Sequence, residues 1–279
     1  MEAEGLHLNI DYVGSCGILL STEQKAALQS SLVIMRNHYK FNRVFFWGKI
    51  LGTSSKGDYF IAQGTGNDEM ADKKTLYSLD CVMWGLLPQA TQAIREQCSV
   101  VKGRFFGDPS HEYEHVEIKR IGEGEDATEE ETRIMIKEED RLASVIAHID
   151  EEVAIVPRGS YVKTSHGTVL KNRSFEGLSA TESGKLQNYF HFREPVRLNE
   201  KSLLEKADLD KSIDFLDPIS EDIPNGGSWS LKFERGSGLV CIQSLLWLGL
   251  AFYHVPHSQK FGYVYVGTGE KNKDLPFLL

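Results

Sequence analysis

The 279-residue chain lacks the features that place a protein in most large functional classes. It has no apolar run long enough to cross a membrane, because Trp and Gly interrupt its richest stretches. Met1 to Asn9 carries two Glu and no basic cluster, so the basic end of a secretion signal is missing. The expected location is the cytosol, or a structure open to it. None of the four cysteines, Cys16, Cys81, Cys98 and Cys241, stands in a CxxC pair, which leaves zinc ribbons and redox motifs without their spacing. They are read as reduced, mostly buried thiols. Cations are outnumbered by anions, 31 to 40, and the net charge of −9 makes nucleic acid and anionic membrane poor partners. Internal repeats and low-complexity tracts are also missing.

Phosphate loops are absent too. Gly64-Thr65-Gly66 and Gly267-Thr268-Gly269 fit neither dinucleotide nor P-loop spacing and are read as strand connections. Asp208 to Asp214 hints at a calcium loop. However, Ile213 stands where the required Gly belongs and Ile219 where the twelfth-position Glu belongs. The sharpest enzymatic candidate is His111-Glu112-Tyr113-Glu114-His115, which matches H-E-x-x-H. On a helix, His111 and His115 would hold zinc one turn apart and Glu112 would activate water. Its neighbours are charged on most sides, and Ile118 and Ile121 replace the Gly and His of the extended pattern. A zinc-dependent hydrolase is therefore the alternative reading, and a generic cytosolic interaction module is another.

What is present is a set of amphipathic segments. Ser21 to Tyr39 reads as a helix with a Ser21/Gln24 capping box and Leu28, Leu32, Met35 and Tyr39 on one face. Val44 to Leu51 and Tyr59 to Gln63 read as a hairpin with a long loop. Thr75 to Leu87 reads as strand around Trp84, Pro88 to Gln97 as a short helix opened by Pro88, and Ser99 to Phe106 as extended chain. Gly122 to Glu131 is acidic and reads as a solvated loop, with an acidic docking strip as the functional alternative. After it come a strand at Arg133 to Lys137 and a helix at Lys137 to Glu151, with Leu142, Val145, Ile146 and Ile149 on one face. A short strand at Val153 to Val156 and a helix from Ser179 to Tyr189 follow. In Trp229 to Glu234, apolar and polar residues alternate, and the inner strands Leu239 to Trp247 and Leu250 to His254 lead to a closing strand at Tyr263 to Val266. Short links favour an antiparallel meander.

The fold class expected is α+β, an antiparallel β-rich core with a few amphipathic helices and a C-terminal meander. The expected organisation is an N-terminal lobe 1–121, the acidic loop 122–131 and a C-terminal lobe 132–279, or one compact domain. His191 is read as packed among aromatics, and His254 and His257 as lying in a loop near no acid partner. Trp47, Trp84, Trp229 and Trp247 are read as core or interface anchors. No catalytic, cofactor-binding or metal-binding residue is assigned.

Several long blocks are similar to the radial spoke head protein 9 family. They are Arg43 to Gly52, Lys74 to Leu79, Ser99 to Phe105, Gly107 to Ser110, Tyr189 to Pro195, Leu203 to Asp210 and Gly262 to Asn272. The resemblance implies a structural, non-enzymatic part of the radial spoke head in the axoneme of motile cilia and flagella. It further implies assembly with spoke head proteins 4 and 6, an indirect meeting with the central pair apparatus, and no cofactor. For the apolar end, Leu275 to Leu279, two readings stand: folding onto its own core, or docking on a neighbouring spoke head protein.

Overall fold

The structure is a computed structural model describing all residues except 55, 56, 122–127, 197–201, 208 and 279; the side chains of 117–121, 128–132, 205 and 278 also fall outside the description. The helices are α1 (Leu6–Asn9), α2 (Thr22–Tyr39), α3 (Gln92–Cys98), α4 (Glu138–Val153), α5 (Ala180–Ser183), α6 (Leu203–Ala207) and α7 (Leu275–Leu278). The strands are β1 (Arg43–Ile50), β2 (Tyr59–Thr65), β3 (Lys73–Ser78), β4 (Gly85–Leu86), β5 (Glu112–Ile121), β6 (Thr128–Lys137), β7 (Ile155–Pro157) and β8 (Tyr161–Lys163). They continue with β9 (Val169–Lys171), β10 (Tyr189–His191), β11 (Asp217–Pro218), β12 (Trp229–Glu234), β13 (Leu239–Ser244), β14 (Leu250–His254) and β15 (Phe261–Gly267). The fold is α+β, as expected.

An eight-stranded sheet in the order β12-β13-β14-β15-β1-β2-β3-β4 organises the chain. β12 to β15 form the expected antiparallel meander, and β1 to β4 a second antiparallel run. The two are joined by a parallel pairing of β1 with β15, which sequence periodicity does not announce. This seam requires Gly48. It sits at φ 148° beside a bulge, and a Cβ there would lie 1.9 Å from the Tyr265 carbonyl oxygen.

Both faces of the sheet are covered, so its central strands read as continuous apolar runs. Along β13, Leu239 and Cys241 point to one cluster and Val240 and Ile242 to the other. The first cluster is closed by α1, the 3-10 helix Ile10–Cys16 and α2. The second is closed by Leu142, Ile146, Ile149 and Val153 of α4. Each such fully buried aliphatic side chain contributes roughly 1.5–3 kcal/mol relative to solvent. The Ser21 capping box forms as predicted: Ser21 Oγ accepts from Gln24 N at 3.1 Å, and Gln24 Oε1 from Ser21 N at 3.0 Å.

Several expected elements differ. Thr91, not Pro88, opens α3, because its hydroxyl accepts from the Ile94 amide at 3.4 Å. Residues 99–106 form a loop with one parallel bridge, Gly52 to Phe105. The predicted helix from Ser179 shrinks to one turn. Its cap holds, but the Tyr189 hydroxyl is drawn to the Ser183 carbonyl at 2.9 Å and Tyr189 starts β10. Val153 ends α4 rather than starting a strand. Glu129 to Glu131 belong to β6 rather than to a loop, while residues 122–127 of the acidic run lie outside the described residues. His254 ends β14 and is fully buried.

Candidate interaction surface

The H-E-x-x-H sequence does not lie on a helix. Glu112 to His115 are in β5, where four residues span about 13 Å, against about 6 Å along a helix. His111 and His115 are therefore not the adjacent pair that zinc requires, which removes the geometric basis of the hydrolase reading. The His111 ring instead stacks on Phe106 at 4.8 Å and meets Tyr113 edge-on at 4.7 Å. Among the described residues, no group of three or more His, Cys, Asp or Glu is placed to hold a metal ion. In the calcium-like segment, Asp214 is taken by Arg158 through two bonds of 2.7 Å. Asp210 accepts from Ser212 N at 2.9 Å, and Asp208 lies outside the described residues.

The H-E-x-x-H segment instead forms the base of a two-stranded ribbon. β5 and β6 pair over ten positions, from Glu112 opposite Lys137 to Ile121 opposite Thr128. They pair with no other strand among the described residues. Lys119 stands opposite Glu130 and Arg120 opposite Glu129 in this register. Residues of opposite charge at paired register positions favour such an alignment. These charges, placed evenly about the 122–127 segment, are the sequence signal that reveals the ribbon in retrospect. On one face, Val116 (41% exposed) and Met135 (55%) stand in solvent beside Glu114 and Arg133, which pair at 3.3 Å.

The ribbon's root is rigid. Glu138, the first residue of α4, is fully buried. Its carboxylate accepts from the Tyr59 and Tyr113 hydroxyls, both at 2.5 Å, and from the amides of Phe106 (2.9 Å), Gly107 (2.7 Å) and Asp108 (3.2 Å). Desolvation acts to raise its pKa, but these donors together hold it below the usual glutamate value. The helix N-terminus favours the same charge. Burial and the facing carboxylate push Tyr59 and Tyr113 up in turn. One turn on, the Arg141 guanidinium lies 4.4 Å from the Phe105 ring centroid and donates to the Tyr113 hydroxyl at 3.0 Å and to the Gly103 carbonyl. No sequence motif foretells this hub, because its donors come from three separate segments.

Other open surfaces lie elsewhere. β12 is an edge of the large sheet, and its alternation is only half buried: Trp229 is inside, while Phe233 is 42% exposed. The far edge is the two-residue β4, too short to template much pairing. At the apolar end, Leu275 is 5% exposed and Phe277 is 87% exposed. Three tryptophans, Trp47, Trp229 and Trp247, are core anchors. Trp84 instead lines a groove of about 330 Å³ against α2, and its Nε1 is buried without a partner. His191 is packed as expected, with its Nε2 2.9 Å from Asp222, which also accepts from Trp229 Nε1 at 2.7 Å.

A second cavity, about 300 Å³, opens beside β1 and β15, and most of its charged side chains are held in ion pairs. Arg43 holds Glu2 at 3.0 Å and Glu69 at 2.5 Å, and Lys73 holds Asp150 at 2.6 Å. Asp150 also accepts from the Tyr263 hydroxyl at 2.7 Å and from Trp47 Nε1 at 3.2 Å. This network knits α4 to the sheet and leaves Asp150 committed to internal donors.

No protein-family model matches the chain. Curated proteins do. The chain is 55% identical over 279 residues to "Radial spoke head protein 9 homolog" of Bos taurus, and 55% identical over 279 residues to the Homo sapiens protein of that name. The Danio rerio protein of that name is 53% identical over 280 residues, and all three alignments cover 100% of both chains. With this identity running from end to end, the chain belongs to the radial spoke head protein 9 family.

Proposed function

We propose that this chain is a structural subunit of the radial spoke head in the axoneme of motile cilia and flagella. It is made in the cytoplasm and joins the axonemal cytoskeleton. Its role is to complete the head, binding spoke head proteins 4 and 6 and reaching the central pair apparatus through them. Without it the heads do not assemble, and ciliary and sperm flagellar beating fails. It performs no chemistry: it transmits force by being stiff and by being gripped. The family names support the location. The observation that carries the role is the β5–β6 ribbon, a pair of strands with open outer edges on a root held by Glu138. Open edges accept a partner's strand through backbone hydrogen bonds, and the alternate side chains supply selectivity.

The test replaces residues 115–134 with Asn-Gly, which leaves the root intact and closes a short hairpin. The variant keeps its melting temperature but loses co-purification with spoke head protein 4, and cells carrying it have headless spokes and immotile cilia. Retained co-purification and normal spokes would overturn the ribbon's role.

A further inference from the structure

We propose that Cys16 and Cys241 are a peroxide-reactive dithiol that closes to a disulfide and fastens the N-terminal 3-10 helix to the central sheet. The two residues are far apart in sequence and neighbours in space. Cys16 ends the 3-10 helix Ile10–Cys16 and is half-buried, whereas Cys241 lies on β13 and is buried. The helix crosses β13 and β14 at this point. The Cys241 thiol lies 3.8 Å from the Tyr12 carbonyl, and the Tyr12 ring packs at 5.1 Å on Tyr253, the residue paired with Cys241 in the sheet. One turn further along, Cys16 packs against the cluster that contains Cys241, close enough for each thiol to act on the other's ionisation.

The contact divides the roles of attacking and resolving thiol. The neighbouring Cys241 thiol holds the Cys16 thiol below its ordinary value against the effect of burial, aided by Ser15 and by Lys232. Lys232 is the β12 residue facing Cys241 in register. The Cys241 proton is retained, through that same interaction and then burial. Cys16 is thus both the more exposed sulfur and the more readily ionised one, the combination that governs thiol reactivity. Cys81 and Cys98 provide a contrast within the same chain: burial first, then Asp80 and Asp140 respectively, pushes them up to about 12 and about 11.

The oxidant is hydrogen peroxide. The Cys16 thiolate attacks one oxygen, the O–O bond breaks, and hydroxide leaves to be protonated to water, giving a sulfenic acid. The Cys241 sulfur then attacks the Cys16 sulfur, the S–O bond breaks, and the departing hydroxyl leaves as a second water with the Cys241 proton. Two thiols lose two electrons, and one peroxide becomes two waters. The bond closes a loop from residue 16 to residue 241, so it withdraws much freedom from the unfolded chain and stabilises the fold.

The test exposes the purified protein to a small excess of hydrogen peroxide, caps remaining thiols with N-ethylmaleimide and maps the peptides without reduction. The expected result is one linked peptide pair, Cys16 to Cys241, two hydrogens lighter than the sum of the free peptides. It should be accompanied by a raised melting temperature that dithiothreitol reverses, with Cys81 and Cys98 still free. Cys241→Ser should stop at a dimedone-trappable sulfenic acid on Cys16, and Cys16→Ser should not react. The proposal is overturned if the linked pair is absent, if Cys16 forms only an intermolecular dimer, or if wild-type Cys16 runs on to sulfinic acid while Cys241 stays a thiol.

Discussion

Glu138 shows how much a single buried group can hold in place. Five donors converge on its carboxylate, and truncation would strand all of them at once. Each buried unpaired donor costs about 1–3 kcal/mol, less what water and local relaxation recover. Glu138→Ala is therefore expected to lower stability by at least about 3 kcal/mol in urea unfolding. Glu138→Gln, which still accepts but is neutral and presents its own N–H groups to donors, should fall between. Two of the residues through which acid should act are His254 and Glu138. Burial pushes His254 from 6.5 down to about 4, with the backbone hydrogen bond at Lys260 opposing. The unfolded chain takes up a proton that the folded chain refuses, so stability is lost as pH falls from about 6.5 to about 4, by about 3 kcal/mol in total. The Glu138 pKa is depressed in the fold, so its contribution is present above the unfolded value and is lost as pH falls through the folded one. Melting temperature measured from pH 7 to pH 4 should fall throughout, and His254→Gln should flatten the first part of that fall. Neither residue's role is visible in a local motif, because burial and partners come from distant segments.

At the scale of elements, local signals were reliable where the cap and the packing face agree. α2 has both its Ser21 box and its buried Leu28, Leu32 and Met35, and it forms as expected. The Ser179 signal has a cap without a sufficient face, and tertiary packing of Tyr189 ended that helix after one turn. The H-E-x-x-H segment reads as a helix by motif but is a strand by pairing, since β6 supplies a partner in register that no helix could match. The seam strand gives a sharp test. Gly48→Ala places a methyl group against the Tyr265 carbonyl, so a loss of about 3 kcal/mol or more is expected in denaturant unfolding, along with poor solubility. The apolar end is divided in its behaviour: Leu275 packs inside and Phe277 faces out. Phe277→Ala is expected to leave the melting temperature unchanged while weakening co-purification with spoke head protein 4. A fall in melting temperature with unchanged binding would mean that Phe277 serves the chain's own core.

At the scale of the molecule, strands from both sides of the acidic run enter a single sheet, with helices on each face. In the proposed role, force on the ribbon would enter through α4, which the Asp150 and Glu138 networks tie to the sheet. Tagged protein is expected to decorate motile axonemes and to vanish from spokes whose heads fail to assemble; a diffuse cytosolic signal in multiciliated cells would contradict the proposed role.

The sequence by itself determined the strands of the meander, the two long helices, the first hairpin and the family, because each rests on short-range periodicity, capping or long ordered blocks of similar residues. Only the tertiary structure decided the parallel seam at Gly48, the ribbon at Glu112 to Lys137, the five-donor hub at Glu138 and the meeting of Cys16 with Cys241. The seam, the hub and the thiol contact are made by residues distant along the chain, and a contact between distant segments leaves no periodic trace in either of them; the ribbon is local, but its acidic turn reads as a solvated loop and hides the pairing of its strands.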